Sequence, residues 1–138
     1  MTAMDVIQSL QGIDNFLLYF GTAVVAEAIF VVLYMAVTPH HEATLIKAGN
    51  PAAALSFGGA VIGFTLPLTS AIAHNVSLPG TVVWAVVALV VQLAVFLLAN
   101  LFLRDLSRRI EAGDLAAGIM VAVASVASGM ISAACMTD

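Results

Sequence analysis

Four long apolar runs constrain this chain more than any other feature. They fall at about Asn15–Thr38, Pro51–Ala73, Pro79–Leu103 and Leu115–Met136. At about 1.5 Å per residue, each can cross the ~30 Å hydrocarbon layer of a bilayer as a helix. The last three contain no Asp, Glu, Lys or Arg, and the first contains only Glu27. Composition points the same way. Of 138 residues, 62% are hydrophobic and 9% charged, against about 45–50% and about 25% in soluble domains. A water-facing surface cannot be built from that composition, so lipid is the expected solvent. The expected fold is an all-α membrane protein, a single four-helix transmembrane domain over 1–138.

The segment before the first run, Met1–Asp14, has no Lys or Arg, and the run itself exceeds a signal-peptide core. A cleaved leader is therefore not expected. Val6, Ile7, Leu10 and Ile13 alternate with polar residues. That pattern fits either a short helix on the membrane surface or an extension of the first span.

Orientation follows from the basic residues. Lys47 lies between spans one and two; Arg104, Arg108 and Arg109 lie between spans three and four. In a four-span protein both loops share one side. The positive-inside rule predicts that 39–50 and 104–114 are cytoplasmic and that both termini lie outside, in the periplasm of a cell with an inner membrane.

These two loops resemble each other. Ile46-Lys47-Ala48-Gly49-Asn50 matches Ile110-Glu111-Ala112-Gly113-Asp114 at an offset of 64 residues. The match divides the chain into two tandem two-helix repeats, about 15–75 and 79–138. Each holds two spans, so both copies are expected to share one orientation. Gly49 and Gly113 can take the left-handed conformation that ends a helix. Asn50 and Asp114 then cap the next helix, with Pro51 at its tolerated first position. Spans one and three are expected to continue as helices to these glycines and turn back there.

The spans differ in character. One and three are bulky, with Phe16, Leu17, Phe30 and Leu33 in the first and Trp84, Leu89, Phe96 and Leu97 in the third. Span two carries Gly58, Gly59 and Gly63; span four carries Gly118, Ala122, Ser125, Gly129 and Ala133 at spacings of three or four residues. Small residues let backbones approach closely in lipid. Spans two and four are therefore expected at the bundle centre or at a subunit interface. Pro67 removes a hydrogen bond to the Gly63 carbonyl and tends to kink span two. Thr65, Thr69 and Ser70 are placed to satisfy the freed groups.

Glu27 is the candidate for chemistry. By its distance from the loops it lies near mid-bilayer, at the depth of Gly63, Gln92, Ser125 and Ser128. These residues are expected to form one polar layer. An exposed carboxylate at that depth costs roughly 2.5–3.5 kcal/mol on insertion scales. Such a group must face the bundle, hold a proton or bind a cation. Tyr34, Thr38 and His41 follow on nearly the same helix face and suggest a route from the cytoplasm. The bland alternative is a protonated Glu27 bonded to a neighbouring helix. Val91 occupies the matching position of the second repeat, so the acid is not duplicated.

His40-His41-Glu42 is read as a solvated membrane-surface loop rather than a metal site, and no metal or cofactor is expected. Cys135 is read as a packing residue. No hydrolase, nucleotide-binding or redox motif occurs, so an enzyme is not expected. The net charge of −4 and the lack of a basic stripe speak against nucleic acid.

Thr38-Pro39, Glu42, Ile46, Gly49-Asn50-Pro51-Ala52-Ala53-Ala54, Gly59, Gly63, Pro67 and Gln92 together resemble the YjfL-type family of uncharacterised bacterial inner-membrane proteins. Gly113-Asp114, Ala116-Ala117-Gly118 and Gly129-Met130-Ile131-Ser132-Ala133-Ala134-Cys135-Met136 fit the same family. The resemblance runs from about Phe16 onward. It implies tandem two-span units in the bacterial inner membrane and supplies no catalytic residue. The leading functional expectation is a small channel or transporter that moves a proton or small cation past Glu27. The alternative is a non-transporting scaffold of the cell envelope. In either case the expected surroundings are the lipid bilayer and further copies of the chain or another membrane protein.

Overall fold

Where no water can replace a broken amide hydrogen bond, an apolar run must satisfy its own backbone, and it does so as a helix. The structure, a computed structural model, describes residues 2–74, 77–103 and 105–136. Arg104, and Asn75 and Val76 of the turn between spans two and three, lie outside the described residues. Six helices follow in order: α1 Ala3–Val37, α2 Glu42–Lys47, α3 Pro51–His74, α4 Leu78–Phe102, α5 Leu106–Glu111 and α6 Leu115–Cys135. No strand occurs among the described residues. Helices α1, α3, α4 and α6 are long and apolar enough to span a membrane.

The N-terminal segment extends the first span rather than forming a separate surface helix. Thr2 starts α1 with a reciprocal cap: its hydroxyl accepts from the Asp5 N–H, and the Asp5 carboxylate accepts from the Thr2 N–H at 2.7 Å. The 35 residues of α1 measure roughly 50 Å. Its first turns, which carry Asp5, Gln8, Gln11 and Asp14, therefore project beyond a ~30 Å hydrocarbon layer.

One expectation is corrected. The first and third spans do not run on to the glycines. α1 stops at Val37 because Thr38 precedes Pro39, and a pre-proline residue is forced out of the helical region; Thr38 has φ −77° and ψ 128°. α4 stops where Leu103 turns extended and Asp105 adopts a left-handed φ of 56°. Short helices α2 and α5 then lead to the glycines, which have φ of 85° at Gly49 and 81° at Gly113. Both turns carry the same pair of bonds. Gly49 N–H donates to Ile46 and Asn50 N–H to Leu45; Gly113 N–H donates to Ile110 and Asp114 N–H to Arg109. Asn50 Oδ1 caps α3 by accepting from Ala53 N–H, and Asp114 Oδ1 caps α6 by accepting from Ala116 N–H.

The turn after α2 meets the end of α5 at one end of the bundle. Asn50 Nδ2 donates to the carbonyls of Ile110, at 2.7 Å, and Glu111. Within the bundle the most extensive helix contact is α3 against α6. It ascends in step along both chains, from Ala52 on Gly118, through Gly59 on Ala122 and Gly63 on Ser125 and Gly129, to Ser70, whose hydroxyl donates to Ala133 O at 2.8 Å. The two helices therefore run parallel. Every member of the small-residue series on α6 faces α3, and α3 turns Gly59 and Gly63 toward it. Gly58, one residue away, faces open space.

The bulky helices α1 and α4 lie outside this pair. Phe30 and Tyr34 of α1 and Ala85, Ala88, Gln92 and Phe96 of α4 point inward. Leu89 and Leu93 of α4 pack partly against this core, and most of the remaining Val, Leu and Phe side chains face outward, as lipid requires. Cys135 is exposed rather than packed, because it falls on the side of α6 away from α3.

Candidate functional site

The bundle centre is built around a missing hydrogen bond. Pro67 has no N–H, so the Gly63 carbonyl one turn earlier loses its helical donor. A carbonyl left bare in an apolar interior costs about 1–3 kcal/mol. Gln92 of α4 supplies the replacement: its Nε2 donates to Gly63 O at 2.9 Å and to Ser125 O at 3.2 Å, and approaches Ser128 Oγ at 3.4 Å. One amide thus joins α3, α4 and α6. Gly129 completes the arrangement, since only a residue without a side chain fits beside the Gly63 carbonyl. The hydroxyls expected to heal the kink act elsewhere. Thr65 donates to Val61 O, Thr69 to Leu66 O and Ser70 to Ala133 O. Gln92 Oε1 remains buried without a partner.

Gln92, Ser125, Ser128, Gly63, Gly129 and Pro67 are therefore brought together. Glu27 is not among them. It lies on the far side of α3, where its Oε2 is 3.0 Å from Thr65 Oγ1, whose single proton is shared with Val61 O at 2.7 Å. Its Oε1 is buried and has no partner. Glu27 lines the inner end of a groove of about 480 Å³ between α1 and α3, with Phe16, Phe20, Ala23, Leu68 and Ile72 among its walls. The groove runs from Glu27 and Thr65 toward the bundle end that carries the N-terminal part of α1.

In the other direction the way is closed by aromatic rings. Phe30, one turn beyond Glu27, stacks on Phe64 with centroids 4.6 Å apart. Tyr34 packs next, edge-on to Phe96 at 5.4 Å. All four rings are buried. Tyr34 does not contact Glu27; its hydroxyl is buried without a hydrogen-bond partner, and its electrostatic neighbour is Glu42.

Beyond the rings lies a second polar cluster, which corrects the reading of His40-His41-Glu42 as a solvated loop. Only His41 is on the surface. His40 and Glu42 are each 1% exposed, because the break at Thr38-Pro39 turns the chain across the bundle end, where α2 packs against α3. Glu42 Oε2 accepts from Thr38 Oγ1 at 2.9 Å, and its Oε1 lies 3.1 Å from His40 Nε2. His40 Nδ1 meets Ser107 Oγ of α5 at 3.1 Å. The cluster joins the two halves of the chain beside the Asn50 contact. No group of three His, Cys, Asp or Glu residues suited to a metal occurs among the described residues. The signal that sequence reasoning passed over is Thr38-Pro39 itself, since a helix broken there must redirect whatever follows it.

At the same end, Arg109 Nε donates to Asp114 Oδ2 at 2.7 Å. This bond, ahead of the backbone bonds from the first turn of α6, holds the Asp114 carboxyl below the usual carboxylate range.

Comparison with known proteins places the chain. The family model described as Domain of Unknown Function (DUF350) matches residues 8–136. The UPF0719 inner membrane protein YjfL of Escherichia coli (strain K12) is 41% identical over 128 residues, covering 93% of this chain and 97% of the relative. The protein of the same name from Escherichia coli O157:H7 matches equally. No solved structure matches the chain.

Proposed function

The chain belongs to the DUF350 family, and on that footing we propose that it is a multi-pass inner-membrane protein that takes up a proton or small cation at Glu27. The observation that carries this reading is the state of the carboxylate. One oxygen meets Thr65 and the other is buried without a hydrogen-bond partner from the protein. An acid there must be neutralised, and a proton or a cation does so most directly. The groove offers access from one side only, because the Phe30–Phe64 stack blocks the other. That asymmetry is what a carrier has in one of its two end states. The buried His40–Glu42 pair stands on the closed side, beyond the aromatic rings.

The basic residues Lys47, Arg108 and Arg109 sit at the end formed by α2 and α5. The positive-inside rule assigns that end to the cytoplasm, so the groove and both termini face the periplasm. The parallel run of α3 and α6 and the matching glycine turns support a tandem duplication of one orientation.

The test is proton flux. Protein reconstituted into liposomes should dissipate an imposed pH gradient, and Glu27→Gln should abolish this while leaving the helical content unchanged. Flux that is absent, or that survives the substitution, contradicts the reading. A second reading, a membrane scaffold, is favoured by α1, which buries only Phe30 and Tyr34 against the bundle. Specific cross-linking of α1 to one partner protein or to a second copy, with no flux, would select it.

A further inference from the structure

We infer that the α1–α3 groove is a binding site for an organic cation with an apolar body, seated with its charge toward Glu27. This rests on the reading of Glu27 as the group that accepts positive charge, and it names a ligand class that reading leaves open.

Size and shape come first. At about 480 Å³ the groove falls within the ~300–1,000 Å³ of small-molecule sites, far larger than a proton or bare metal ion needs. Ala23, one turn from Glu27, is a small residue in the groove wall. Farther along, the stacked pair Phe16 and Phe20, with centroids 5.5 Å apart, and Leu68 and Ile72 of α3 widen it into an apolar channel. One ionisable acid at the inner end of such a channel complements an amphipathic cation. Lipid head groups carry cationic chemistry too, but they stay at the interface. Glu27 lies about 18 Å along the helix from Asn15, where the span begins, which puts it beyond their reach.

The neighbouring groove between α1 and α4 serves as an internal comparison. It is smaller, about 160 Å³, and its lining includes Thr22 and Thr81 but no ionisable residue. It has nothing to hold a charge. The α1–α3 groove also opens sideways, so a ligand already dissolved in the bilayer can enter without crossing water.

The experiment uses tetraphenylphosphonium, a permanent apolar cation, with detergent-solubilised full-length protein in equilibrium dialysis. Wild type should bind it saturably. Glu27→Gln should weaken binding roughly tenfold or more, as the loss of a counter-charge in an apolar site requires. Ala23→Phe, which enlarges a small residue of the groove wall and keeps the acid, should weaken it comparably. Circular dichroism of both variants guards against misfolding. Equal uptake by wild type and Glu27→Gln, meaning partition into the micelle alone, overturns the inference. Glu27-dependent proton flux without saturable tetraphenylphosphonium binding overturns this inference and leaves the proton reading standing. Saturable Glu27-dependent binding without proton flux supports the inference and removes the proton reading.

Discussion

The close contact of α3 and α6 predicts opposite outcomes for two adjacent glycines. Gly58 and Gly59 differ only in direction. A methyl group added at Gly58 meets nothing within 4 Å, whereas at Gly59 it collides with the Ala122 backbone. The other inward glycines are similar. At Gly118 the added carbon would sit 2.6 Å from Ala52 O and 2.8 Å from its Cα, and at Gly129 it would sit 2.9 Å from Gly63 C and closer still to its carbonyl oxygen. Ordinary carbon contacts begin near 3.5 Å, so the helices must part by roughly 1 Å. The obstacle is backbone, and no rotamer change relieves it. Overpacking of this kind costs about 1–3 kcal/mol per site. Gly58→Ala instead gains about 0.5–1 kcal/mol, since alanine loses less entropy in a helix. The two neighbours should therefore differ by at least about 1.5 kcal/mol, roughly tenfold in the unfolding equilibrium. Reversible unfolding in mixed micelles of mild detergent and dodecyl sulfate, followed by circular dichroism, measures this. Equal stabilities for Gly58→Ala and Gly59→Ala would refute the helix register and the central α3–α6 pair.

Three further outcomes follow from the same geometry. Gln92→Leu strips the Gly63 carbonyl of its donor, while the Ser125 carbonyl keeps that from Ser128 Oγ, and should cost about 1–3 kcal/mol in that assay; in a Pro67→Ala background, where Gly63 regains a helical donor, the cost should shrink. Glu42→Ala removes the carboxylate 3.1 Å from buried His40 Nε2 and leaves Thr38 only its backbone acceptors, and should cost about 1–3 kcal/mol, more than Glu42→Gln, which a double-mutant cycle with His40→Ala would apportion. Asp114 has its carboxyl held below the ordinary value of 3.8, chiefly by Arg109. Its contribution is complete above that value and is lost as pH falls through the lower folded value, so acid unfolding of Asp114→Asn should show a weaker pH dependence there than wild type.

Much of the fold was legible because lipid imposes simple rules. Apolar length marks the spans, and the observed α3, α4 and α6 begin and end within a residue of the expected limits. Glycine followed by Asn or Asp marks the turns. Depth counted from the loops brought Gln92, Ser125 and Ser128 to the Gly63 carbonyl. Depth says nothing of azimuth, however. Glu27 shares that layer's height yet points to the other face of α3, and no residue count reveals on which side of a neighbour a helix will lie. The His40–Glu42 cluster was missed for a related reason. Polar residues in a loop are ordinarily solvated, and only the turn at Thr38-Pro39, which brings His40 to Ser107 of α5 and packs α2 on α3, takes these two out of water. The continuation of α1 to Gly49 failed because the helix-ending effect of Pro39 on Thr38 outweighed the continuity of the apolar pattern.

The account turns on Glu27 being reachable from the N-terminal side of the bundle and sealed from the other. Infrared difference spectroscopy of the carboxyl band, on protein oriented in vesicles whose two sides are buffered separately, tests this most directly. A pH jump on the side bearing the N-terminus should change a band that is absent in Glu27→Gln, and a jump on the opposite side should leave that band unchanged on the same timescale. A Glu27 band that responds to neither side, or equally to both, would contradict it.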